Sequence, residues 1–185
     1  MPSASTTRTT LLAALACAAF ACLPNPAMAA DCAKASAAPG EASHKQMARS
    51  TLCLVNAERR QRGLKKLKLN KRLSKAARRH ARDMARKNYF SHTSLNGATF
   101  VDRIRRAGYL RGARSWNVGE NLAWGSGALS TARATVRAWM RSRGHRRNIL
   151  TAQWRQMGIG IAFDAPQNVG NRPAATYATT FGRKR

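Results

Sequence analysis

The stretch from Asn70 to Arg86 constrains the fold of this chain more than any other. Leu73, Ala76, Ala77, His80, Ala81, Met84 and Ala85 recur at helical spacing and line one face, while lysines and arginines fill the other. Asn70 stands where an N-cap belongs. A helix divided in this way needs an apolar surface to cover it. Two β-rich runs, Met157 to Phe163 and Ala174 to Phe181, joined by a polar loop with Pro166, Asn171 and Pro173, predict a hairpin that supplies one.

The remaining elements fill in around this pair. Ser43 caps a predicted helix with Met47, Thr51, Leu54, Val55 and Glu58 at helical spacing, ending at Gly63. Residues Leu64 to Leu69 serve as a connector. After the turn at Asn96-Gly97, Thr99 and Asp102 resemble a capping box, opening a short helix through Ile104 that stops at Gly108. Asn117 to Trp124 is extended, and Ser130 caps a fourth helix with Ala132, Thr135, Val136, Trp139 and Met140 inward. Gly144 ends that helix, so His145 is expected just past its terminus. Helices around a small, mostly antiparallel sheet give an α+β layered domain.

Residues 1–29 have the pattern of an export signal: Arg8, an apolar run from Leu11 to Leu23 too short to span a bilayer, and Ala27-Met28-Ala29 as a small-residue cleavage site. Cys22 after Ala21 raises lipid attachment, which Ala19 and Phe20 fit poorly. Residues 30–42, with Pro39-Gly40, are expected to be a flexible arm, and 43–185 the domain. No other apolar stretch approaches spanning length, so no transmembrane segment is expected once the signal is removed. A secreted or periplasmic location follows. In such a compartment Cys32 and Cys53 are expected to form one disulfide that ties the arm to the first helix. Closing that loop stabilises by roughly 3 kcal/mol in the simple loop model.

The chain carries 34 basic residues against 7 acidic ones, a formal charge of +27, and losing Arg8 lowers it by only one. Such a field attracts acidic envelope polymers, anionic membrane surfaces and other polyanions, with strong salt dependence. The bases are spread along the whole chain, and no stripe with interleaved aromatics forms a dedicated nucleic-acid motif. Against this background Glu120, between Gly119 and Asn121, is a conspicuous carboxylate. His92 and His145 flank it in sequence, each beside a turn signal. Two imidazoles and one carboxylate are groups that bind a borderline divalent cation or pass protons near neutral pH. His80, on the apolar helix face, is expected to be a core residue with one hydrogen bond, and His44 has less claim still. Trp116, Trp124 and Trp154 are expected to pack the layers.

Six ordered blocks resemble the CAP superfamily, the group of cysteine-rich secretory, antigen 5 and pathogenesis-related 1 proteins that share the SCP domain, and most of all its compact bacterial branch. They are Leu54-Val55-Asn56-Ala57-Glu58-Arg59, Tyr89-Phe90-Ser91-His92, Gly119-Glu120-Asn121-Leu122-Ala123, Trp139-Met140-Arg141-Ser142, Gly144-His145-Arg146-Arg147-Asn148-Ile149-Leu150 and Met157-Gly158-Ile159-Gly160. The resemblance implies a three-layer α-β-α sandwich, secretion, and a cleft lined by two histidines and two acids. His92, Glu120 and His145 match three of the four. The second acid falls at Ser142, where this chain departs from the pattern.

The cleft is therefore expected to hold His92, Glu120, His145, Asn121 and Ser142. His92 and His145 are its metal ligands, if any, for a weakly bound zinc or magnesium, with Glu120 as third ligand or as an acceptor orienting an imidazole. The resemblance favours a non-catalytic binding module for a lipid, sterol or envelope-associated ligand. One alternative is a metal-assisted or general-base hydrolase of peptides or esters with Glu120 as its catalytic residue. Neither a Gly-x-Ser-x-Gly motif nor a free cysteine accompanies that alternative. The other is an interaction protein that binds polyanions through net charge.

Overall fold

The structure is a computed structural model, and it describes residues 32–185; the predicted export signal and Cys22 lie outside them. Helix α1 (His44–Arg60) opens with a capping box in which the Ser43 hydroxyl accepts from the Gln46 amide and the Gln46 side chain accepts from the Ser43 amide. A two-residue strand β1 (Lys68–Leu69) follows, at the end of the stretch expected to be only a connector. Asn56 sets its position, because its side chain pairs with both the amide and the carbonyl of Leu67. Asn70 caps helix α2 (Lys71–Arg86) through the amides of Arg72 and Leu73. Thr99 and Asp102 complete the capping box of α3 (Phe100–Arg106), and Gly108 at φ +81 ends that turn.

Strand β2 (Trp116–Ser126) leads through a 3-10 turn (Gly127–Ser130) into α4 (Ala132–Arg141) and α5 (Arg143–Leu150), followed by β3 (Gln156–Ala162) and β4 (Ala174–Lys184). Two sequence expectations are corrected here. Thr131, rather than Ser130, caps α4, because the Ser130 hydroxyl is turned back onto the Gly127 carbonyl within the 3-10 turn. Gly144 does not end a helix either. Ser142 is extended, at φ −87 and ψ 121, and breaks the chain between α4 and α5; its carbonyl then accepts from Arg146 to start α5. His145 thus lies in the first turn of a new helix.

The strands form one sheet in the order β1-β3-β4-β2, antiparallel except for the β1–β3 pair. Along β3, Met157, Ile159 and Ile161 turn to one side, where they join Met47, Leu54, Val55, Val136, Trp139 and Ile149 of α1, α4 and α5. Gly158 and Gly160 turn to the other side, against α2. A Cβ on Gly158 would stand 2.2 Å from the Leu73 carbonyl carbon, and one on Gly160 would stand 2.1 Å from the Arg78 amide nitrogen. The fold is thus α+β, a three-layer α-β-α sandwich in which one helix backbone lies directly on the sheet.

The disulfide joins Cys32 to Cys53, across 21 residues. It fastens a segment that is packed rather than extended in solvent: Ala35 and Ala42 are buried, and the Ala35 carbonyl accepts from the Arg133 amide. The small residues that give residues 33–42 the composition of a linker are what let this segment lie close against α4. Of the tryptophans, Trp154 is buried and stacked on Phe181, Trp124 is half-buried, and Trp116 is 40 % exposed. The expectation that Trp116 packs the layers is therefore corrected; it is the first residue of a strand at the sheet margin, paired with Lys184.

Candidate functional site

Strand β2 is an edge strand, and its outward carbonyls are covered by side chains instead of another strand. Asn148 of α5 donates to the Glu120 carbonyl at 3.0 Å, and the Trp139 indole of α4 donates to the Leu122 carbonyl at 2.9 Å. Asn148 also donates to the Asn121 side-chain oxygen, and Asn121 in turn donates to the His145 carbonyl at 3.0 Å. These bonds anchor the start of α5 to the strand that carries Glu120.

The Glu120 side chain is 1 % exposed. The imidazole of His92, 54 % exposed, lies with its Nδ1 at 2.9 Å from Glu120 Oε1. The Glu120 carboxylate accepts from His92 Nδ1, which fixes the orientation of the ring and leaves Nε2 out of this contact. Arg103 of α3 supplies a guanidinium: its Nη2 is 2.9 Å from both Glu120 oxygens. The same nitrogen donates to the His92 carbonyl at 2.8 Å, and Nη1 donates to the Ala98 carbonyl and the Ser94 hydroxyl. One arginine therefore fixes the loop between α2 and α3 that carries His92.

His145 is half-buried. Burial lowers its pKa below the ordinary 6.5, and His92 lowers it further, so the two imidazoles are close enough for charge on one to disfavour charge on the other. His92, Glu120, Asn121 and His145 thus meet at the β2 margin. Ser142 joins them only through the backbone, since it separates α4 from α5 and its hydroxyl makes no cap bond. His80 is buried and its Nε2 bonds the Ser91 carbonyl at 2.9 Å. His44 stacks on Phe163 at a ring distance of 3.7 Å.

Arg103 is the functional residue that the sequence conceals. It is one of 34 basic residues, and nothing in the pattern around α3 separates it from Arg105 or Arg106. Its contacts also decide what the donor set can hold. With both Glu120 oxygens on Arg103 and one also on His92, a three-ligand set that includes Glu120 does not fit a divalent metal. Among the described residues, no three His, Cys, Asp or Glu side chains stand together as a metal site.

Among the described residues, no helix is long and apolar enough to cross a membrane. Over 107 residues the chain is 40 % identical to the Bacillus subtilis protein YkwD, covering 58 % of this chain and 39 % of that protein. It is 32 % identical to the Bacillus subtilis membrane protein YlbC over 110 residues, covering 60 % and 30 %. The chain thus spans well under half the length of either relative. An extracellular SCP-domain protein from Bacillus anthracis superposes with a TM-score of 0.60 at 28 % identity, over 77 % of this chain and 44 % of that one. An outer surface protein of Borrelia burgdorferi superposes at 0.63 with 21 % identity, over 78 % and 97 %, a likeness of fold. The sequence profile of the CAP family, the cysteine-rich secretory protein family, matches residues 52–179, and the chain belongs to that family.

Proposed function

We propose that this is an exported CAP-domain binding protein that holds an amphipathic, envelope-associated ligand such as a lipid or sterol at the His92–His145 cleft and performs no chemistry on it. The state of Glu120 carries this reading. A general base must present a lone pair to its substrate, whereas the Glu120 carboxylate is buried, neutralised by Arg103 and used to orient His92. It acts as a strut. What the cleft offers to solvent is the Nε2 edge of His92 and the ring of His145.

Two observations favour an amphipathic ligand. Phe90 and Leu95, on the loop that carries His92, are 47 % and 63 % exposed, so that loop presents apolar side chains to solvent. The excess of base across the chain favours an acidic head group. Any divalent metal would rest on the two imidazoles alone. Such a site is open and weak, and it favours zinc over magnesium, which takes oxygen ligands.

Mass spectrometry of the exported protein and of the His92→Ala/His145→Ala and Phe90→Ser/Leu95→Ser variants tests this reading. A co-purifying amphiphile retained in about 0.5 M salt, beyond the range of simple counterion exchange, and lost from the Phe90/Leu95 variant is the expected result. Metal should be lost only from the histidine variant. Turnover of a peptide or ester library that Glu120→Gln abolishes would replace the reading with a hydrolase, and binding that vanishes steeply with salt would replace it with polyanion adhesion.

A further inference from the structure

Helix α2 carries its outer cations in a row. Arg72, Lys75, Arg79, Arg82 and Arg86 recur at intervals of three and four residues along the exposed face, so they form one line about 21 Å long. None of the five lies within ion-pair distance of a carboxylate among the described residues. Like charges at this spacing repel and weaken a helix. No acid offsets them, because Asp83, the one acid of α2, is taken by Lys87 at 2.8 Å and by the Tyr89 hydroxyl. The α2 backbone is seated on Gly158 and Gly160, so the row is held in a fixed position on the outside of the sandwich.

The row runs beside two exposed apolar side chains. Phe90, just past the end of α2, is 47 % exposed, and its neighbours are both fastened to that helix: Tyr89 bonds Asp83, and the Ser91 carbonyl accepts from His80. Leu95, 63 % exposed, lies between Ser94 and Asn96, which border a hollow of about 220 Å³ that Arg79 and Lys87 also line. Arg106 of α3 lines the same hollow and adds a sixth cation with no carboxylate partner among the described residues. Unpaired cations and exposed apolar side chains thus share one margin of the molecule.

We propose that this margin docks on an anionic phospholipid bilayer: the α2 row lies against the head groups, and Phe90 and Leu95 enter the interface beside its C-terminal half. The two sets of residues answer two properties of one partner. Cations near an anionic leaflet each contribute to binding and fall off within a Debye length. Cations alone would suit any polyanion, but a soluble polymer gives the apolar pair nothing to enter, whereas a membrane interface takes it out of water. The docking does not rest on a ligand or a metal in the His92 cleft.

The test is co-sedimentation of the exported protein with phosphatidylcholine vesicles, with and without phosphatidylglycerol, at about 0.1 M salt, where the Debye length is about 10 Å. Binding should require phosphatidylglycerol. Arg79→Gln/Arg82→Gln/Arg86→Gln should weaken it about a hundredfold. Arg137→Gln/Arg141→Gln/Arg147→Gln, which removes the same charge from α4 and α5 on the opposite layer, should leave it within about threefold. Phe90→Ser/Leu95→Ser should weaken it about thirtyfold, and Leu95→Trp should add indole emission that lipids brominated in their acyl chains quench. The absence of binding to phosphatidylglycerol vesicles, equal loss in the two triple variants, or an added indole that escapes quenching would overturn the proposal. Vesicle binding indifferent to Phe90→Ser/Leu95→Ser, with polyphosphate held as tightly as the vesicles, would assign the row to a linear polymer and overturn it as well. The assay needs no ligand in the cleft, so its failure would leave the reading of that site untouched.

Discussion

The contact between β3 and α2 and the margin at β2 belong to one sheet, yet they are held by opposite means. At β3 the fit is steric: Gly158 and Gly160 leave no room for even a methyl group beneath the α2 backbone. At β2 it is polar, with the buried Glu120 meeting Arg103 and His92, and Asn148 and Trp139 covering the strand's open carbonyls. Close packing dominates the first region, aided by the Ile159 amide donating to the Ser74 hydroxyl and the Thr180 hydroxyl donating to the Leu73 carbonyl, and these bonds are spent within the fold. The second keeps polar groups in low dielectric, where each must be satisfied, and so holds an imidazole in one orientation at the surface.

The sharpest way to break this contrast is Gly160→Val. Because the obstructing atoms are α2 backbone, the helix must lift from the sheet, and the loss should reach about 5 kcal/mol in chemical denaturation, above the usual range for overpacking. A loss under about 1 kcal/mol would show that the contact is less rigid than its geometry. Next in size is Arg103→Met, which leaves the buried Glu120 charge with only its contact to His92 and should cost about 3 kcal/mol. Adding Glu120→Gln to that variant should recover a good part of the loss, and additive costs would mean that the two residues are not coupled.

The smallest effect is one of pH. His80 and His145 both have pKa values below the ordinary 6.5, burial being the first cause in each. Above that value neither state takes up a proton there. Below it the unfolded chain protonates first, so stability should fall as the solution is acidified through about 6.5 and level off once the lower folded values are passed. His92→Ala removes the second cause at His145, so the NMR-measured pKa of that ring should rise toward its ordinary value. A denaturation midpoint that stays flat on acidification, or a His145 titration unmoved by the variant, would deny the coupling.

How much of this was legible in the sequence differs between the same two regions. The helices follow from their caps and apolar spacing, and the α2 stripe and the β3–β4 hairpin lie where periodicity places them. The break at Ser142 was hidden because a glycine two residues later offered a more familiar stop, although Gly144 has ordinary helical backbone and open space around its Cα. At the site, His92, Glu120 and His145 stand out because acids are scarce and their blocks match a family. Arg103 does not, since its distinction is burial, and burial of a cation depends on a partner 17 residues away that no local pattern announces. His80 was legible as a core residue, but the missing donor at its Nδ1 is a property of three-dimensional surroundings only.

The Cys32–Cys53 bridge makes assembly of the α4 side depend on oxidant. While both sulfurs are thiols, nothing covalent holds the stretch bearing Ala35 and Ala42, and its few bonds to Arg133 must compete with solvent. A molecule held in a reducing compartment would therefore present an unlatched end to proteases along one seam. The same molecule in an oxidising compartment closes that seam behind it, which makes surroundings, rather than sequence alone, the final step of its maturation.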